Sequence, residues 1–348
     1  MAAPRIFGTL ADGREIREVT LRSKAGAEAT VMEWGAVVRD MRVPLASGGS
    51  QRVVLGLNDI EDYVLHSPHM GAIAGRFANR IRGGSFILDG ERFQLPLNFL
   101  GRHSAHGGGY GFGRRPWTIL DAAENYVVLA LHVPAGDQGY PGAMTVACRY
   151  TLREPATLRV GLTATCNAPT IINLCHHSYF NLDGSPDILD HVLQVNADVY
   201  TPTDDELIPT GEMLSVSGAP LDFREPRKIR TLNERGERVR FDNNFILRRD
   251  RVEDIPPSGL HVAHAATVWS EKSRLRMEVW TTEPGLQFYD AAKMNLPVAG
   301  LDGVQYGPCA GLCLEPQHAP DSPNLPQFPS TVLRPGEAYR QVTEYRIS

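Results

Sequence analysis

Two short stretches of the chain carry the side chains best suited to acid–base chemistry. NLCHHSYFNLDG (residues 173–184) sets His176 beside His177, and GLCLEPQHAPDSPN (residues 311–324) contains Glu315. An imidazole and a carboxylate that meet in one cleft make a general acid and a general base, because their surroundings can tune each to the protonation state needed near pH 7. The first question is which histidine faces such a cleft.

Side-chain alternation separates the two histidines, because successive residues of an extended chain point to opposite faces. The face that carries His177 is polar, whereas the face that carries His176 is apolar. The polar face also holds Asn173, Cys175, Tyr179 and Asn181, and the other holds Ile172, Leu174 and Phe180. We therefore expect His177 to line a site and His176 to be structural. The strand alone leaves a second interpretation of His177 open, a core histidine bonded to backbone.

The same alternation applies to the second stretch. Leu312 and Leu314 share one face, and Glu315 lies on the other with Cys313. We expect this carboxylate, which ends an apolar run just before Pro316, to lie at the rim of a cleft. The alternative is an ordinary exposed glutamate at a strand end.

Further polar candidates occur in four short motifs, each of which is more often structural than functional when taken alone. The candidates are Asn79 and Arg80 in GRFANRIRGG, His106 in SAHGGGYGFGRRPW, Asp242 in RFDNNFIL and Gln287 in EPGLQFYD. The glycines after His106 let backbone approach a ligand closely. They do not form a phosphate loop, because no Gly-Lys-Ser/Thr follows and no βαβ context surrounds them.

The elements that must position these residues are mostly strands. ATLRVGLTATC (residues 156–166) alternates with period 2, and Asp89-Gly90 in SFILDGERFQL predicts a tight hairpin turn. Helical patterns are short, with residues 58–65 and 229–239 as the best two. No linker or repeat divides the chain. The sequence therefore predicts an all-β fold, a single domain over residues 1–348 built as a large antiparallel β-sandwich with few short helices.

Composition excludes several classes of function. The 348 residues carry a formal net charge of -5, which argues against a nucleic-acid partner or an anionic membrane surface. No run of eighteen apolar residues and no secretory signal is found, so we expect a cytoplasmic protein. Five cysteines are an odd number for a disulfide framework. Metal ligation by Cys309 and Cys313 is less favoured than small buried thiols.

Taken together and in order, the motifs resemble the aldose 1-epimerases, the galactose mutarotases. They are GRFANRI, HGG followed by GF, GYPG, HSYFNL, FDNNF, EPGLQFY and CLEPQHAPDSPN. The resemblance covers nearly the whole chain, from FGTLADG to LRPGEAYRQVTEYRI. It implies a β-sandwich of the galactose-mutarotase type that acts on free monosaccharides with no cofactor and no metal, as a monomer or homodimer.

The resemblance also implies roles for individual residues. His177 matches the general acid and Glu315 the general base. The sugar-contacting positions that it implies are Asn79, Arg80, His106, Asp242 and Gln287, with Tyr179, Phe180 and Asn181 against the same pocket. The base would remove the proton of the C1 hydroxyl while the acid protonates the ring oxygen. The freed aldehyde would turn about C1–C2, and the ring would close on the other face.

Three alternatives stay open. A hexose-phosphate epimerase of the same fold would need basic residues facing the phosphate. The candidates are Arg80, Arg82, Arg102, Arg114 and Arg115. A non-catalytic sugar-binding β-sandwich would use His177 and Glu315 as ligand contacts only. A glycosidase would pair Glu315 with a second acid about 5–10 Å away, and Asp242 is the obvious partner.

Seven positions depart from the pattern of the family. His176 stands where Asn is common, and the others are Ala105, Asp290, Ala291, Ala292, Pro316 and Ala319. None is the proposed acid or base. We expect these departures to bear on which aldose is preferred and not on the reaction.

Overall fold

Nearly all regular structure in the protein is β-strand. The computed structural model describes residues 3–256 and 258–348. In chain order the strands and the α-helix are β1 (Arg5–Thr9), β2 (Glu15–Arg22), β3 (Glu28–Met32), β4 (Val38–Pro44), β5 (Ser50–Arg52), α1 (Ile60–His66), β6 (Ile73–Ala74), β7 (Arg80–Ile81), β8 (Ser85–Leu88), β9 (Glu91–Gln94), β10 (Ser104–Ala105), β11 (Thr118–Ala122), β12 (Tyr126–Val133), β13 (Met144–Arg153), β14 (Thr157–Cys166), β15 (Thr170–Ile171), β16 (Cys175–His176), β17 (Val192–Val195), β18 (Ala197–Thr201), β19 (Leu214–Ser215), β20 (Arg227–Lys228), β21 (Asp242–Leu247), β22 (Val252–Ile255), β23 (Leu260–Trp269), β24 (Arg276–Thr281), β25 (Gly285–Tyr289), β26 (Cys313–Gln317), β27 (Val332–Leu333) and β28 (Tyr339–Ile347).

Three sheets contain most of these strands. The largest has ten strands in the order β11-β12-β13-β14-β28-β24-β23-β17-β20, with β22 paired to β23. One five-stranded sheet has the order β1-β2-β3-β4-β5, and the other has the order β19-β18-β21-β25-β26. The sheet that contains β26 carries the candidate site, because its strands β21, β25 and β26 supply Asp242, Gln287 and Glu315.

The core lies where the three sheets meet. In β14 the buried side chains Leu158, Val160 and Leu162 alternate with less buried ones, as the period-2 pattern predicts. They belong to one hydrophobic cluster that also includes Val31 of β3 and Phe288 of β25. The all-β prediction and the antiparallel sandwich are therefore confirmed.

The hairpin predicted from Asp89-Gly90 is confirmed. Strands β8 and β9 pair from Ser85 with Gln94 to Leu88 with Glu91, which leaves two residues in the turn. Asp89 has φ 51° and Gly90 has φ 86°. Two positive φ values are what a type I′ turn requires, and they match the right-handed twist of the two strands.

One of the two helix predictions is confirmed and the other is wrong. Helix α1 (Ile60–His66) covers most of the first predicted stretch, but residues 229–239 form no helix and contain a turn closed by a bridge between Leu232 and Arg238. The side-chain oxygen of Asn233 accepts the backbone N–H groups of Arg235 and Glu237, and Gly236 has φ 76°. This local bonding competes with the helix, as Asn and Gly commonly do. Within the described ranges, no helix has the length and hydrophobicity needed to span a bilayer.

Candidate active site

Most of the predicted site residues line one cavity of about 560 Å³. Its size is within the range of about 300–1,000 Å³ that is usual for small-molecule sites. The side chains that line it are those of Pro68, His69, Asn79, Arg80, Phe99, His106, His177, Tyr179, Thr203, Leu207, Arg240, Phe241, Asp242, Asn243, Gln287, Tyr289, Asp290, Ala292, Lys293 and Glu315. The cavity therefore brings together polar groups that are far apart in the sequence.

The imidazole of His177 and the carboxylate of Glu315 face each other in this cavity. His177 Nε2 lies 3.6 Å from Glu315 Oε2. Both residues are almost fully buried, at 5 % and 2 % exposure. The backbone of His177 is fixed on both sides, since its N–H donates to Ala72 and its carbonyl accepts from Gly71. Glu315 projects from β26 beside Gln287 of β25.

Two buried thiols contact this acid–base pair. Cys175 donates its S–H to Glu315 Oε2 at 3.3 Å, and Cys313 Sγ lies 3.5 Å from His177 Nδ1. Burial raises the pKa of both thiols well above the usual value, so both remain protonated near neutral pH. Cys175 therefore acts as a hydrogen-bond donor to the carboxylate.

Burial raises the pKa of the Glu315 carboxyl, since a charged carboxylate is poorly solvated there. The neighbouring His177, the Cys175 thiol and Arg80 oppose this shift, whereas Asp242 adds to it. The expectation that Glu315 lies at a rim is wrong. Strand β26 continues through Pro316 to Gln317, and Pro is tolerated because β26 is an edge strand.

Three histidine rings cluster beside Glu315. The ring centroids of His69 and His106 are 4.7 Å apart, and that of His177 is 5.4 Å from His106. Burial lowers the pKa of His69 to about 3 and that of His106 well below its usual value. These two rings are therefore neutral, and His177 is the member of the cluster that has a carboxylate partner.

The tautomer of neutral His106 follows from its backbone contacts. The ring Nδ1 of His106 accepts the backbone N–H of Asn79 at 3.3 Å, and the backbone N–H of His106 donates to the backbone carbonyl of Asn79 at 3.0 Å. The ring proton is therefore on Nε2, which makes His106 a hydrogen-bond donor.

Asp242 organises a second polar group in the cavity. Arg80 Nη2 donates to Asp242 Oδ2 at 2.8 Å, and Gln287 Nε2 donates to Asp242 Oδ1 at 2.6 Å. The guanidinium of Arg80 also lies 4.8 Å from the ring centroid of Phe99. Oε1 of buried Gln287 has no hydrogen-bond partner in the described chain. This arrangement leaves acceptor and donor positions that suit sugar hydroxyls.

The structure does not bring every predicted residue to this cavity. Phe180 is fully buried in the hydrophobic core and contacts Tyr345. Asn181 donates to the carbonyls of Ser185 and Ala310 and lines a different hollow. The alternation placed Phe180 on the apolar face, and the structure agrees with that placement. The sugar contact that the family resemblance implied for Phe180 is not found. Tyr179 lines the cavity, and its hydroxyl donates to the carbonyl of Pro68.

The glycines after His106 do not line the cavity, and the first of them, Gly107, packs against protein. Gly107 has φ 83°, and a Cβ there would lie 1.9 Å from the carbonyl oxygen of Gly75. The expected approach of backbone to a ligand is therefore replaced by an approach of backbone to backbone. This contact holds the loop that carries His106.

Other lining residues were not predicted from the sequence. They include His69, Phe99, Tyr289, Arg240 and Lys293. His69 lies at a turn with φ 62° and belongs to no motif that carries chemistry. Tyr289 follows Gln287 by two residues on β25, so strand alternation could have identified it.

Comparison with known proteins places this geometry in a family. The model of the family described as aldose 1-epimerase matches residues 17–346. The chain belongs to the aldose 1-epimerase family. This epimerase is 37 % identical over 346 residues to the galactose mutarotase of Rattus norvegicus, covering 99 % of this chain and 97 % of the relative. It is 36 % identical over 344 residues to the aldose 1-epimerase of Escherichia coli K12, covering 97 % and 96 %.

Solved structures give the same result for the fold. A GalM/aldose epimerase homologue from C. elegans superposes with a TM-score of 0.86 at 30 % identity, covering 94 % of this chain and 98 % of that one. A galactose 1-epimerase from Lactobacillus acidophilus NCFM superposes with a TM-score of 0.79 at 28 % identity, covering 100 % and 99 %.

Of the seven departures from the family pattern, Asp290 and Ala292 line the cavity of the epimerase. Asp290 is buried and accepts from Arg238 Nη1 at 2.7 Å. His176 lies in the core, where its Nδ1 is 3.3 Å from the hydroxyl of Tyr150. Ala105, Ala291, Pro316 and Ala319 are buried outside the cavity lining.

Proposed function

We propose that this epimerase interconverts the α and β anomers of a free aldose, with Glu315 as the general base and His177 as the general acid. The observation that carries the proposal is the 3.6 Å separation of His177 Nε2 and Glu315 Oε2 within one sugar-sized cavity. The two reacting oxygens of a cyclic aldose, the C1 hydroxyl and the ring oxygen, are bonded to the same carbon. A base and an acid that serve both must therefore lie close together.

The reaction follows from this placement. Ionised Glu315 takes the proton of the C1 hydroxyl, and His177 gives a proton to the ring oxygen as the C1–O bond to the ring breaks. The aldehyde turns about the C1–C2 bond, and the same two groups act in reverse to close the ring. Positioned acids and bases each contribute roughly 10²–10⁴-fold to such a step.

The remaining polar groups would hold the sugar while C1 turns. Arg80 and Gln287, fixed by Asp242, and the Nε2–H of His106 would contact the hydroxyls. Asn79 holds both neighbours in place, since its side-chain oxygen accepts the N–H of Arg80 and its backbone N–H donates to His106. We further propose that the protein is a single domain that works in the cytoplasm as a monomer or homodimer. Its cysteines are free, which suits a reducing compartment.

Measuring optical rotation tests the proposal. Freshly dissolved α-D-glucose, α-D-galactose and a pentose should approach anomeric equilibrium faster with catalytic amounts of the protein, and Glu315→Gln should abolish the acceleration. A protein that only binds sugar would leave the rotation curve unchanged. A glycosidase would release product from a glycoside. It would need Asp242 as its second acid, and both oxygens of that carboxylate already accept hydrogen bonds, from Arg80 and Gln287.

One observation favours a second candidate, an aldose with an anionic substituent. Arg240 and Lys293 line the cavity with exposed side chains, and neither forms an ion pair in the described part of the chain. Of the arginines first considered, Arg82, Arg102 and Arg115 pair with Asp204, Glu206 and Asp137 outside the cavity lining, whereas Arg80 lines the cavity and pairs with Asp242. Faster equilibration of glucose 6-phosphate than of glucose would favour this candidate.

A further inference from the structure

The donor atoms around the acid–base pair include a set that suits a metal ion. One ligand atom each from His177, Cys313 and Glu315 lies within 4.8 Å of the other two. Imidazole, thiolate and carboxylate are the three ligand types found in zinc sites. All three residues are buried.

The ion can take only one nitrogen of the His177 ring, and the spacing favours Nε2, which is 3.6 Å from Glu315 Oε2. Zinc ligands about 2.0–2.3 Å from the metal lie roughly 3.2–3.9 Å from one another in a tetrahedral site. This nitrogen and this oxygen already have that spacing. Cys313 Sγ contacts the other ring nitrogen, Nδ1, at 3.5 Å, so the thiol has to shift toward Nε2 when the ion binds.

Charge balance supports the same set. A divalent cation with one thiolate, one carboxylate and one neutral imidazole has no net charge, which suits a buried location. The Cys313 S–H bond breaks when the S–metal bond forms, and its proton passes to solvent. His177 and Glu315 line the cavity, so the ion can enter from it and keep a water as fourth ligand.

We propose that His177, Cys313 and Glu315 form a site for a thiophilic divalent cation such as Zn²⁺, and that occupancy of the site inhibits the enzyme. The ion would occupy the nitrogen and the oxygen that the sugar needs, so it would compete with the aldose. The inhibitory part rests on the proposed function. The binding part does not, because it depends only on the three ligands.

Binding is tested with Co²⁺ and Zn²⁺ alone, on the reduced full-length protein in a non-chelating reductant. We expect a thiolate-to-cobalt charge-transfer band that Zn²⁺ displaces. Cys313→Ser should remove the band and weaken zinc binding at least about tenfold, and Cys313→Ala serves if the serine variant unfolds. The matched control is Cys166→Ser, which alters a thiol bonded to the carbonyl of Leu333 and should keep the band.

Three outcomes would overturn the proposal. One is a protein that gives no band and binds no Zn²⁺. A second is a band that persists in Cys313→Ser, and a third is a band lost instead in Cys175→Ser, which would move the thiolate to another residue. In the rate assay Zn²⁺ should raise the apparent KM of the wild type and leave Cys313→Ser unaffected. Zinc binding without any mutarotase activity would refute the proposed function and leave the site intact.

Discussion

The adjacent histidines allow a matched pair of substitutions, His177→Asn and His176→Asn. The first removes the proposed acid from the cavity and leaves a side chain that cannot give a proton to the ring oxygen. General acid catalysis contributes roughly 10²–10⁴-fold, which corresponds to about 2.7–5.4 kcal/mol of barrier at 1.36 kcal/mol per tenfold. Water in the cavity can replace part of this, so we expect a loss of at least about tenfold.

The second substitution should act on stability and not on rate. His176 lies in the core with its ring centroid 5.8 Å from that of Tyr150 and 5.5 Å from that of Tyr345. Burial lowers its pKa to about 3, so it is neutral at working pH, and its Nε2 has no partner in the described chain. Exchanging this ring for a smaller amide should cost about 1–3 kcal/mol of unfolding free energy and keep most of the activity.

Both effects can be measured on the same preparations. The rate comes from the optical rotation of fresh α-D-glucose and α-D-galactose, and the stability comes from denaturant unfolding. A folded His176→Asn protein that is inactive, together with an active His177→Asn protein, would refute the assignment of the two faces. Equal losses of rate in both folded variants would refute it as well, because only one side chain lines the cavity.

Further predictions concern the base and the loops around it. Burial raises the pKa of Glu315, so the rate should fall as the pH falls through that raised pKa. The thiol of Cys175 donates to Glu315 and lowers this pKa. Cys175→Ala removes that donor and should move the acidic limb of the pH–rate profile to higher pH. Because the pKa of Glu315 is higher in the folded state than in the unfolded chain, its ionisation lowers the unfolding free energy of the wild type at neutral pH. At that pH the Glu315→Gln protein should therefore unfold at a higher denaturant concentration than the wild type. This difference should disappear below about pH 4.3, where the carboxyl is protonated in both states. Asp242→Asn should raise KM more than it lowers kcat, since it loosens the arginine and the glutamine that this carboxylate holds. Gly107→Ala should lower the unfolding free energy by about 2–4 kcal/mol, whereas Gly109→Ala, with no atom within 4 Å of its added Cβ, should change it by less than about 0.5 kcal/mol.

The sequence predicted the structure correctly where a few neighbouring residues determine it. Alternation placed His177 and Tyr179 on the cavity side and His176 in the core, although only Cys175–His176 form a strand there. The Asp89-Gly90 turn is likewise local, because two positive φ values determine the hairpin.

Local patterns were insufficient where contacts across the fold decide. No spacing rule predicts that the ring of His69 packs against that of His106, because their loops meet only through tertiary packing. The burial of Glu315 depends on which segments pack against β26, and the apolar residues next to it in the sequence do not indicate those segments. Resemblance to a family carried Phe180 along with a motif, and both the resemblance and the alternation placed Asn181 at the site, although neither residue lies at the cavity.

The separation of the proposed acid and base leaves each group free for one of the two reacting oxygens of a sugar. His177 Nε2 and Glu315 Oε2 are 3.6 Å apart, beyond the roughly 2.7–3.2 Å of an N–H···O hydrogen bond, so neither group takes the other as its hydrogen-bond partner. The thiol of Cys175 donates to the same Oε2 and partly offsets the cost of burying a charged carboxylate. Because the C1 hydroxyl and the ring oxygen are bonded to one carbon, two groups this close together can reach both oxygens.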